Sequence, residues 1–344
     1  MERRLTLEEI IIEETLHDGI NRALVFVKPH AMTATDFVRE HLVKAGIDIV
    51  NETVKDGDRL SKSIDSHYTS LQRPAMVFDP EDLRVSAEAK EKFKTKFGED
   101  WDTLIDDDRI VNAAEFVKLY DNVEIGIEWD SEDTIKTSVA PGAVVGKLVS
   151  ADKKYGKVHP YVVNGFYLDM RAKFMNTDAE VHFFECEFKE TDLSWSDFRK
   201  KVIGSTNPEK AAPGSLRNEI LQKWKELGLG SRPNYGDNGV HASAGPVEAF
   251  RERLLWGEDN AEKDPFRESN IRTDPLGISL VRAGVPVDAI KQFLDNVIIE
   301  FEGHKKSAFD HTEDIDTTHA LKRVRTLTEG AKQFEIFRDA VKDM

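Results

Sequence analysis

The chain has 344 residues, of which 40% are hydrophobic and 33% are charged, and its formal net charge at pH 7 is −16. This length is enough for two or more packed cores, and the acidic balance disfavours non-specific binding to nucleic acid or to an anionic membrane. The one cysteine, Cys186, excludes an intrachain disulfide and suits a reducing compartment. We expect a cytoplasmic protein, because no secretory signal pattern or membrane-length apolar run is found.

The first elements follow from hydrophobic periodicity. A charged N-terminal extension over 1–20 is predicted as a short amphipathic helix, and strand and helix patterns alternate after it. Gly46 directly follows the predicted helix Thr35–Ala45 and marks its C-terminal end. The predicted strands are Arg22–Lys28 and Ile47–Val54, and the predicted helices are Thr35–Ala45 and Ser61–Leu71.

The same pattern resumes later in the chain, with further helix and strand segments of similar length. Strands and helices in this number predict an α+β fold, in which helices cover an antiparallel sheet. The predicted segments are a helix near Phe166–Asn176, a strand over Ala179–Phe188, and helices over Ser194–Ile203, Asn218–Leu227 and Pro246–Trp256.

The interruption over 76–160 is too long for a loop inside a compact domain, so we predict an inserted subdomain. Its pattern indicates a helix over Ala87–Phe97 and a strand over Val123–Trp129. Because the insertion leaves the core beside Ala75, one hypothesis is that it caps a ligand; packing or assembly is the alternative.

A C-terminal extension over 258–344 follows a polar linker, with helical patterns over Pro286–Glu302 and Thr317–Val341. An apolar stripe on the first of these predicts docking onto the core or onto a second copy of the chain. The acidic run from His304 to His319 is predicted as a surface loop, since its spacings fit no definite metal-ligand pattern.

Chemistry is concentrated in the segment Asn238-Gly239-Val240-His241-Ala242-Ser243 and in Glu252, eleven positions after His241. A neutral imidazole nitrogen is a nucleophile, and a carboxylate that accepts the N–H of the other ring nitrogen fixes its tautomer and orientation. The pattern fits a histidine that carries a phosphoryl group. Taken alone, it equally fits a histidine placed here by chance, with Glu252 on a helix over Pro246–Trp256.

Several further segments point the same way. Val25-Phe26-Val27-Lys28-Pro29, His67-Tyr68 with Arg73-Pro74, Gly204-Ser205-Thr206-Asn207-Pro208 and Pro213-Gly214-Ser215-Leu216-Arg217 precede the histidine segment, and Glu252 and Trp256 follow it. In this order they resemble nucleoside diphosphate kinases, over about half the chain. The resemblance implies a ferredoxin-like sheet with its core over 21–75 and 161–257. Homo-oligomers are common in that family.

The resemblance also implies roles and ligands. The substrates would be nucleoside di- and triphosphates, with Mg²⁺ bound through their phosphates and no protein ligand to the metal. The catalytic residues would be His241, Glu252, Lys28 and Tyr68, and the nucleotide-binding residues would be Lys28, Arg73, Lys200, Thr206, Arg217, Asn238 and Ser243.

Some residues depart from the family pattern. Ala75 stands where an aromatic ring usually stacks on the base, and Lys200 stands where the family has arginine, which keeps the charge but loses the planar fork. Ala242 and Ala244 replace a glycine and an aspartate.

Three functions remain open at this point. The first is a nucleoside diphosphate kinase that works through a phosphohistidine at His241. The second is a catalytically weak nucleotide-binding or scaffold protein. The third is a phosphohistidine relay to another acceptor.

Overall fold

The structure is a computed structural model that describes residues 18–120, 124–148, 161–257, 263–330 and 334–335. It combines α-helices with β-sheets and divides into two compact units. The first unit comprises the described residues of Met1–Arg59 and Glu180–Met344, and the second comprises those of Leu60–Ala179. The predicted N-terminal helix over 1–20 falls almost wholly outside the described residues.

Eleven strands lie in the part of the chain that the structure describes: β1 Ile20–Val27, β2 Asp48–Asp56, β3 Ile110–Asn112, β4 Ile135–Ala140, β5 Ala143–Lys147, β6 Tyr161–Val163, β7 Glu180–Lys189, β8 Val240–Ala242, β9 Ile298–Phe301, β10 His304–Ser307 and β11 Phe334–Glu335. The α-helices of the same residues are α1 Thr35–Lys44, α2 Gly57–His67, α3 Thr69–Met76, α4 Ala87–Phe97, α5 Trp101–Asp106, α6 Ala113–Leu119, α7 Ile125–Asp130, α8 Tyr167–Met175, α9 Trp195–Asp197, α10 Leu216–Lys223, α11 Pro246–Gly257, α12 Glu268–Ile271, α13 Pro275–Arg282, α14 Val287–Leu294 and α15 Thr317–Gly330. A π-helical turn, Phe198–Ile203, continues α9.

The first unit is built on a four-stranded sheet in the order β2-β7-β1-β8, and every neighbouring pair is antiparallel. Alternate residues of β1 face opposite sides, as the period of a strand requires. Val25 and Val27 pack with Val38 and Leu42 of α1 on one side, where a cluster of fully buried side chains also contains Phe184. This cluster fixes one face of the sheet under its helices.

On the other face of that sheet, Phe26 and Phe183 contact the Trp256 ring of α11, at centroid distances of 5.1 and 5.9 Å. The far side of α11 packs against the C-terminal helices through Phe250 and Phe293, among other apolar side chains. Helix α11 therefore lies between the sheet and the C-terminal helices, which explains why most of its residues are buried. The predicted stripe on α14 docks within the chain.

The second unit contains a separate four-stranded sheet in the order β3-β6-β5-β4, in which only the β3–β6 pair is parallel. Two apolar clusters flank it. One contains Phe93, Trp101 and Tyr161, and the other contains Phe116 and Tyr167. The unit has cores of its own, as a segment of this length requires.

Most predicted elements of the first unit are present with shifts of one to three residues at their ends. Cys186 is buried in β7, as its alternating pattern predicts, and burial raises the pKa of its thiol. The helix predicted over Ser61–Leu71 is instead two helices, α2 and α3, that meet at Tyr68. Pro74 lies in α3, and a proline ring restricts the helix in the turn before it.

The strand predicted over Val123–Trp129 is wrong, because Ile125–Asp130 is helical. Ile125 and Trp129 are buried, whereas Ile127 between them is 65% exposed. A strand would place all three on one face, but a helix brings together only residues four apart. Alternation over so few residues fits both periods.

The helix predicted over Pro286–Glu302 is also too long, since α14 ends at Leu294 and Ile298–Phe301 forms β9. Asn296 has a φ of 54°, the left-handed conformation that commonly ends a helix. The spacing of apolar residues does not report a change of backbone conformation, so it could not predict the end of this helix. The later helix is described over Thr317–Gly330, and Phe334–Glu335, inside the range predicted as helix, is instead a strand that pairs with β9. The predicted residues 331–333 and 336–341 lie outside the described residues.

Within the described ranges, none of the helices combines the length and apolar character needed to cross a membrane.

Phe184→Ala tests the cluster under the first sheet. We expect the free energy of unfolding of the first unit to fall by about 3–5 kcal/mol, because a fully buried ring leaves a cavity. Urea unfolding followed by tryptophan fluorescence measures it. Val54→Ala on β2, whose side chain is 44% exposed, is the control and should change stability by less than about 0.5 kcal/mol. A loss below about 1 kcal/mol for Phe184→Ala would contradict this packing.

Candidate active site

His241 lies on β8, directly opposite Phe26 of the neighbouring strand β1. The two rings stack with their centroids 4.7 Å apart and their planes 23° from parallel. Because facing residues of an antiparallel pair point to the same side, His241 is directed towards the face that α11 covers. Sheet register and stacking together fix the orientation of the imidazole.

Helix α11 supplies the carboxylate that the sequence predicts. Glu252 Oε1 lies 2.7 Å from His241 Nε2, and Oε2 accepts a hydrogen bond of 2.5 Å from Ser243 Oγ. Ser243 Oγ in turn accepts from the backbone N–H of Leu24 at 2.9 Å. Both carboxylate oxygens of a side chain that is only 3% exposed are therefore engaged.

The charge state of this pair follows from its surroundings. Burial lowers the pKa of His241 well below its usual range, and the positive charges of Arg217, Lys28 and Arg199 lower it further. A carboxylate partner alone would favour the imidazolium, but burial and three cations act against it. The imidazole is therefore neutral at neutral pH, the form in which a ring nitrogen is nucleophilic.

Glu248, one helical turn before Glu252, is a second carboxyl group near this pair. Burial, and then the charge of Glu252, raise the pKa of Glu248. Its Oε2 accepts the backbone N–H of Ala244, which ties the start of α11 to the turn after His241. Sequence reasoning missed this residue, because a glutamate in the first turn of a helix ordinarily reads as a capping group.

Lys28 follows the last residue of β1 and reaches the loop that precedes His241. Its Nζ donates to Gly236 O at 3.1 Å, and its backbone N–H donates to Gly239 O at 3.0 Å. Asn234 Oδ1 accepts the N–H groups of both Gly236 and Asp237 at 2.9 Å, which closes the loop into a tight turn. The predicted lysine is thus positioned by the segment that carries the histidine.

Arg217, near the start of α10, joins two other predicted segments. Its Nη1 donates to Gly204 O at 2.8 Å and its Nη2 donates to Val240 O at 3.0 Å. Gly204 has a φ of 88°, and a Cβ there would lie 2.3 Å from Ser215 Oγ, so the turn requires glycine. The guanidinium of Arg217 therefore binds both the Gly204–Pro208 turn and β8.

Asn238 and Thr206 also meet, since Asn238 Nδ2 donates to Thr206 O at 3.1 Å. The Asn238 side chain is almost fully buried, and its Oδ1 has no hydrogen-bond partner among the described residues. A buried amide oxygen without a partner is uncommon. A hydroxyl group of a ligand could satisfy it, in line with the sugar contact that the sequence suggests.

Lys200 occupies the π-helical turn and is 66% exposed. The charge of the adjacent Arg199, which the sequence did not single out, lowers the pKa of His241. Arg199 donates to Glu313 and Asp314 of the segment before α15. No spacing rule predicts a partner more than a hundred positions away.

Tyr68 and Arg73 belong to the second unit, at the junction of α2 with α3 and within α3. In that unit Tyr68 lies edge-on to His67, with ring centroids 4.5 Å apart. Ala75 is fully buried in the apolar cluster of the same unit. The roles expected of Tyr68 and Arg73 stay predictions.

Known proteins resemble parts of this chain. No family model matches it. A stretch of 57 residues, 17% of the chain, is 42% identical to a nucleoside diphosphate kinase of Staphylococcus epidermidis, in each of two strains. The match spans 31% of the length of these curated relatives.

Solved structures of the same kind align with more of the chain at low similarity. A nucleoside diphosphate kinase from Pyrobaculum aerophilum is 16% identical, with 70% of this chain and 97% of that chain covered and a TM-score of 0.34. The enzyme from Borrelia burgdorferi with bound vanadate and ADP is 16% identical, with 74% and 96% covered and a TM-score of 0.31.

The electrostatics of His241 can be measured directly. NMR of selectively ¹⁵N-labelled histidine should show His241 titrating below the reference pKa of about 6.5, so that the ring is neutral at pH 6.5 and above. Lys28→Gln should raise the pKa of His241, because one of the nearby positive charges is lost. His241→Gln assigns the resonance. A His241 pKa at or above 6.5 in the unaltered protein would contradict the site described.

Proposed function

We propose that this chain is a nucleoside diphosphate kinase-like phosphotransferase, which carries the γ-phosphoryl group of a nucleoside triphosphate on His241 to a nucleoside diphosphate. The observation that carries the proposal is the buried arrangement in which Glu252 accepts from both His241 and Ser243. A structural histidine needs no neutral charge state and no oriented carboxylate, whereas a nucleophile needs both.

The contact between His241 and Glu252 supports Nδ1 as the attacking atom. A neutral imidazole that donates its Nε2–H to Glu252 carries the lone pair on Nδ1. In the first half-reaction Nδ1 attacks the γ-phosphorus, the N–P bond forms, and the bond to the β,γ-bridging oxygen breaks as the diphosphate leaves. Glu252 stabilises the positive charge that the ring acquires.

The second half-reaction reverses these steps with a different nucleotide. A terminal phosphate oxygen of the incoming diphosphate attacks the phosphorus on Nδ1, the N–P bond breaks, and the triphosphate is released with the ring neutral again. Both directions use the same residues, so one site serves donor and acceptor in turn.

The positive charges around His241 suit the phosphates of such substrates. Lys28 and Arg217 are close enough to depress the pKa of the histidine, and transfer of a phosphoryl group depends mainly on positioning and on charge stabilisation. Mg²⁺ would enter as part of the substrate, on phosphate oxygens. Glu252 is engaged by His241 and Ser243, which leaves the donor set suited to phosphate rather than to a directly bound cation.

The proposal includes the remaining predicted roles. Thr206 and Arg73 would bind the distal phosphates and Asn238 a sugar hydroxyl, while the roles of Tyr68 and Arg73 rest on the sequence resemblance alone. The sheet order β2-β7-β1-β8 supports a ferredoxin-like core within the proposed range 21–75 and 161–257, of which residues 60–75 and 161–179 belong to the second compact unit. The second compact unit supports an insertion between β2 and β7.

His241→Ala tests the intermediate. We expect γ-labelled ATP with Mg²⁺ to give an acid-labile, base-stable phosphoprotein that GDP, CDP or UDP discharges as labelled triphosphate, and the variant to take up no label. His304→Ala, which removes an exposed histidine on β10, is the control and should label normally. Undiminished labelling of His241→Ala would end the phosphohistidine mechanism.

Glu252→Gln tests the orientation of the ring. The amide keeps the size of the side chain but loses the charge, so the rate of labelling should fall about 10–100-fold. Ser243→Ala, which leaves Glu252 with one partner fewer, should give a smaller reduction of about tenfold. Rapid-quench kinetics measures both rates. Unchanged rates would show that the carboxylate has no part in the chemistry.

A different outcome would favour another function. Label on His241 that nucleoside diphosphates do not discharge would indicate a relay to some other acceptor. ATP binding without any label would indicate a scaffold.

A further inference from the structure

The C-terminal extension reaches the turn immediately after His241 through the residues Thr312–Asp314, here called the acidic clamp. Asp314 donates its backbone N–H to Ala244 O at 3.2 Å. At Gly245 a Cβ would lie 2.5 Å from Thr312 O, so only glycine allows the clamp to approach this closely. The contact between the clamp and the turn after His241 thus depends on a glycine at position 245.

The clamp is firmly anchored. Thr312 is fully buried, and two residues after the clamp Asp316 Oδ1 accepts hydrogen bonds from Asn21 Nδ2 at 2.8 Å and from the backbone N–H of Trp195 at 2.7 Å. Asp314 has a φ of 59°, a conformation that aspartate tolerates better than most residues. The backbone of the clamp therefore has a defined position, unlike that of a solvated surface loop.

Two cations of the π-helical turn form ion pairs with the carboxylates of the clamp. Arg199 Nη1 lies 2.5 Å from Glu313 Oε1 and 2.8 Å from Asp314 Oδ1, and Lys200 Nζ lies 3.6 Å from Asp314 Oδ2. The four charges cancel. Lys200 is one of the residues expected to meet nucleotide phosphate, and the charge of Arg199 acts on His241.

A polyphosphate competes for the same donors. Its oxygens carry several negative charges, and a guanidinium binds phosphate in the bidentate manner in which it binds carboxylates. With the clamp in place, an incoming phosphate meets two carboxylates as well as the cations they hold. Each of them lowers the affinity that Arg199 and Lys200 would otherwise contribute.

We infer that Glu313 and Asp314 are affinity-setting residues of this site, which hold Arg199 and Lys200 and thereby weaken the binding of the phosphate chain. An enzyme that exchanges one nucleotide for another after each half-reaction must release each product, and an internal anion favours that release. The inference rests on the proposed function for the identity of the anion.

The test is the double variant Glu313→Gln with Asp314→Asn, which keeps shape and backbone but removes both charges. Calorimetric titration with tripolyphosphate and with Mg·ADP should give a Kd about five- to tenfold lower than that of the unaltered protein. The gain should shrink at high salt, because these charges are partly exposed. An unchanged or higher Kd would overturn the inference.

Two further variants separate position from total charge. Glu300→Gln with Glu329→Gln removes the same number of charges from exposed ion pairs elsewhere in the extension and should change the Kd less than about twofold. Adding Arg199→Gln to the clamp variant should abolish most of the gain. If the control pair produced the same gain, or if the gain survived without Arg199, the inference would be wrong.

Should the double variant not fold, Glu313→Gln alone alters an exposed side chain and should give a two- to threefold gain. Binding and labelling separate the two proposals. If the variant binds tripolyphosphate more tightly but the protein forms no phosphohistidine, the role of the acidic clamp is supported and the proposed kinase function is contradicted. If phosphohistidine forms but the affinities of the variant are unaltered, the kinase function is supported and the role of the acidic clamp is contradicted.

Discussion

The buried carboxylate of Glu252 is the interaction on which the candidate site depends. It is held between His241 and Ser243, and both partners come from the short strand β8 and its end. Burying a carboxylate is costly unless hydrogen bonds satisfy it, so the register of β8 and the rotation of α11 have to agree. The stacking of Phe26 on His241 fixes the third side of the arrangement.

This requirement explains why so much apolar surface surrounds α11. One side of the helix meets the sheet through Trp256, and the other meets the C-terminal helices through Phe250. A helix covered on both sides cannot rotate to solvate its glutamate. The C-terminal extension therefore contacts the candidate site twice, by packing behind α11 and by placing carboxylates near the cations of the π-helical turn.

Short-range patterns predicted most of the first unit, because a buried strand and an amphipathic helix have distinct periods over eight or more residues. The errors fall where a segment is short or where one residue changes the backbone. Ile125–Asp130 fits both periods, and Asn296 stops α14 through a positive φ that hydrophobicity does not report. The residues 1–17 and 149–160 are not described, so predictions that fall on them stay predictions.

The sequence by itself predicted the candidate residues His241, Ser243 and Glu252, which lie within one strand–turn–helix segment and meet in the structure. It also predicted that cations would gather, with Lys28 directly after β1 and Arg217 near the start of α10. Only the tertiary structure decided that Arg199 meets Asp314, 115 positions later in the chain, and that the charge of Glu252 acts on the half-buried Glu248. Contacts between distant segments depend on how the elements pack, and no local period encodes that packing.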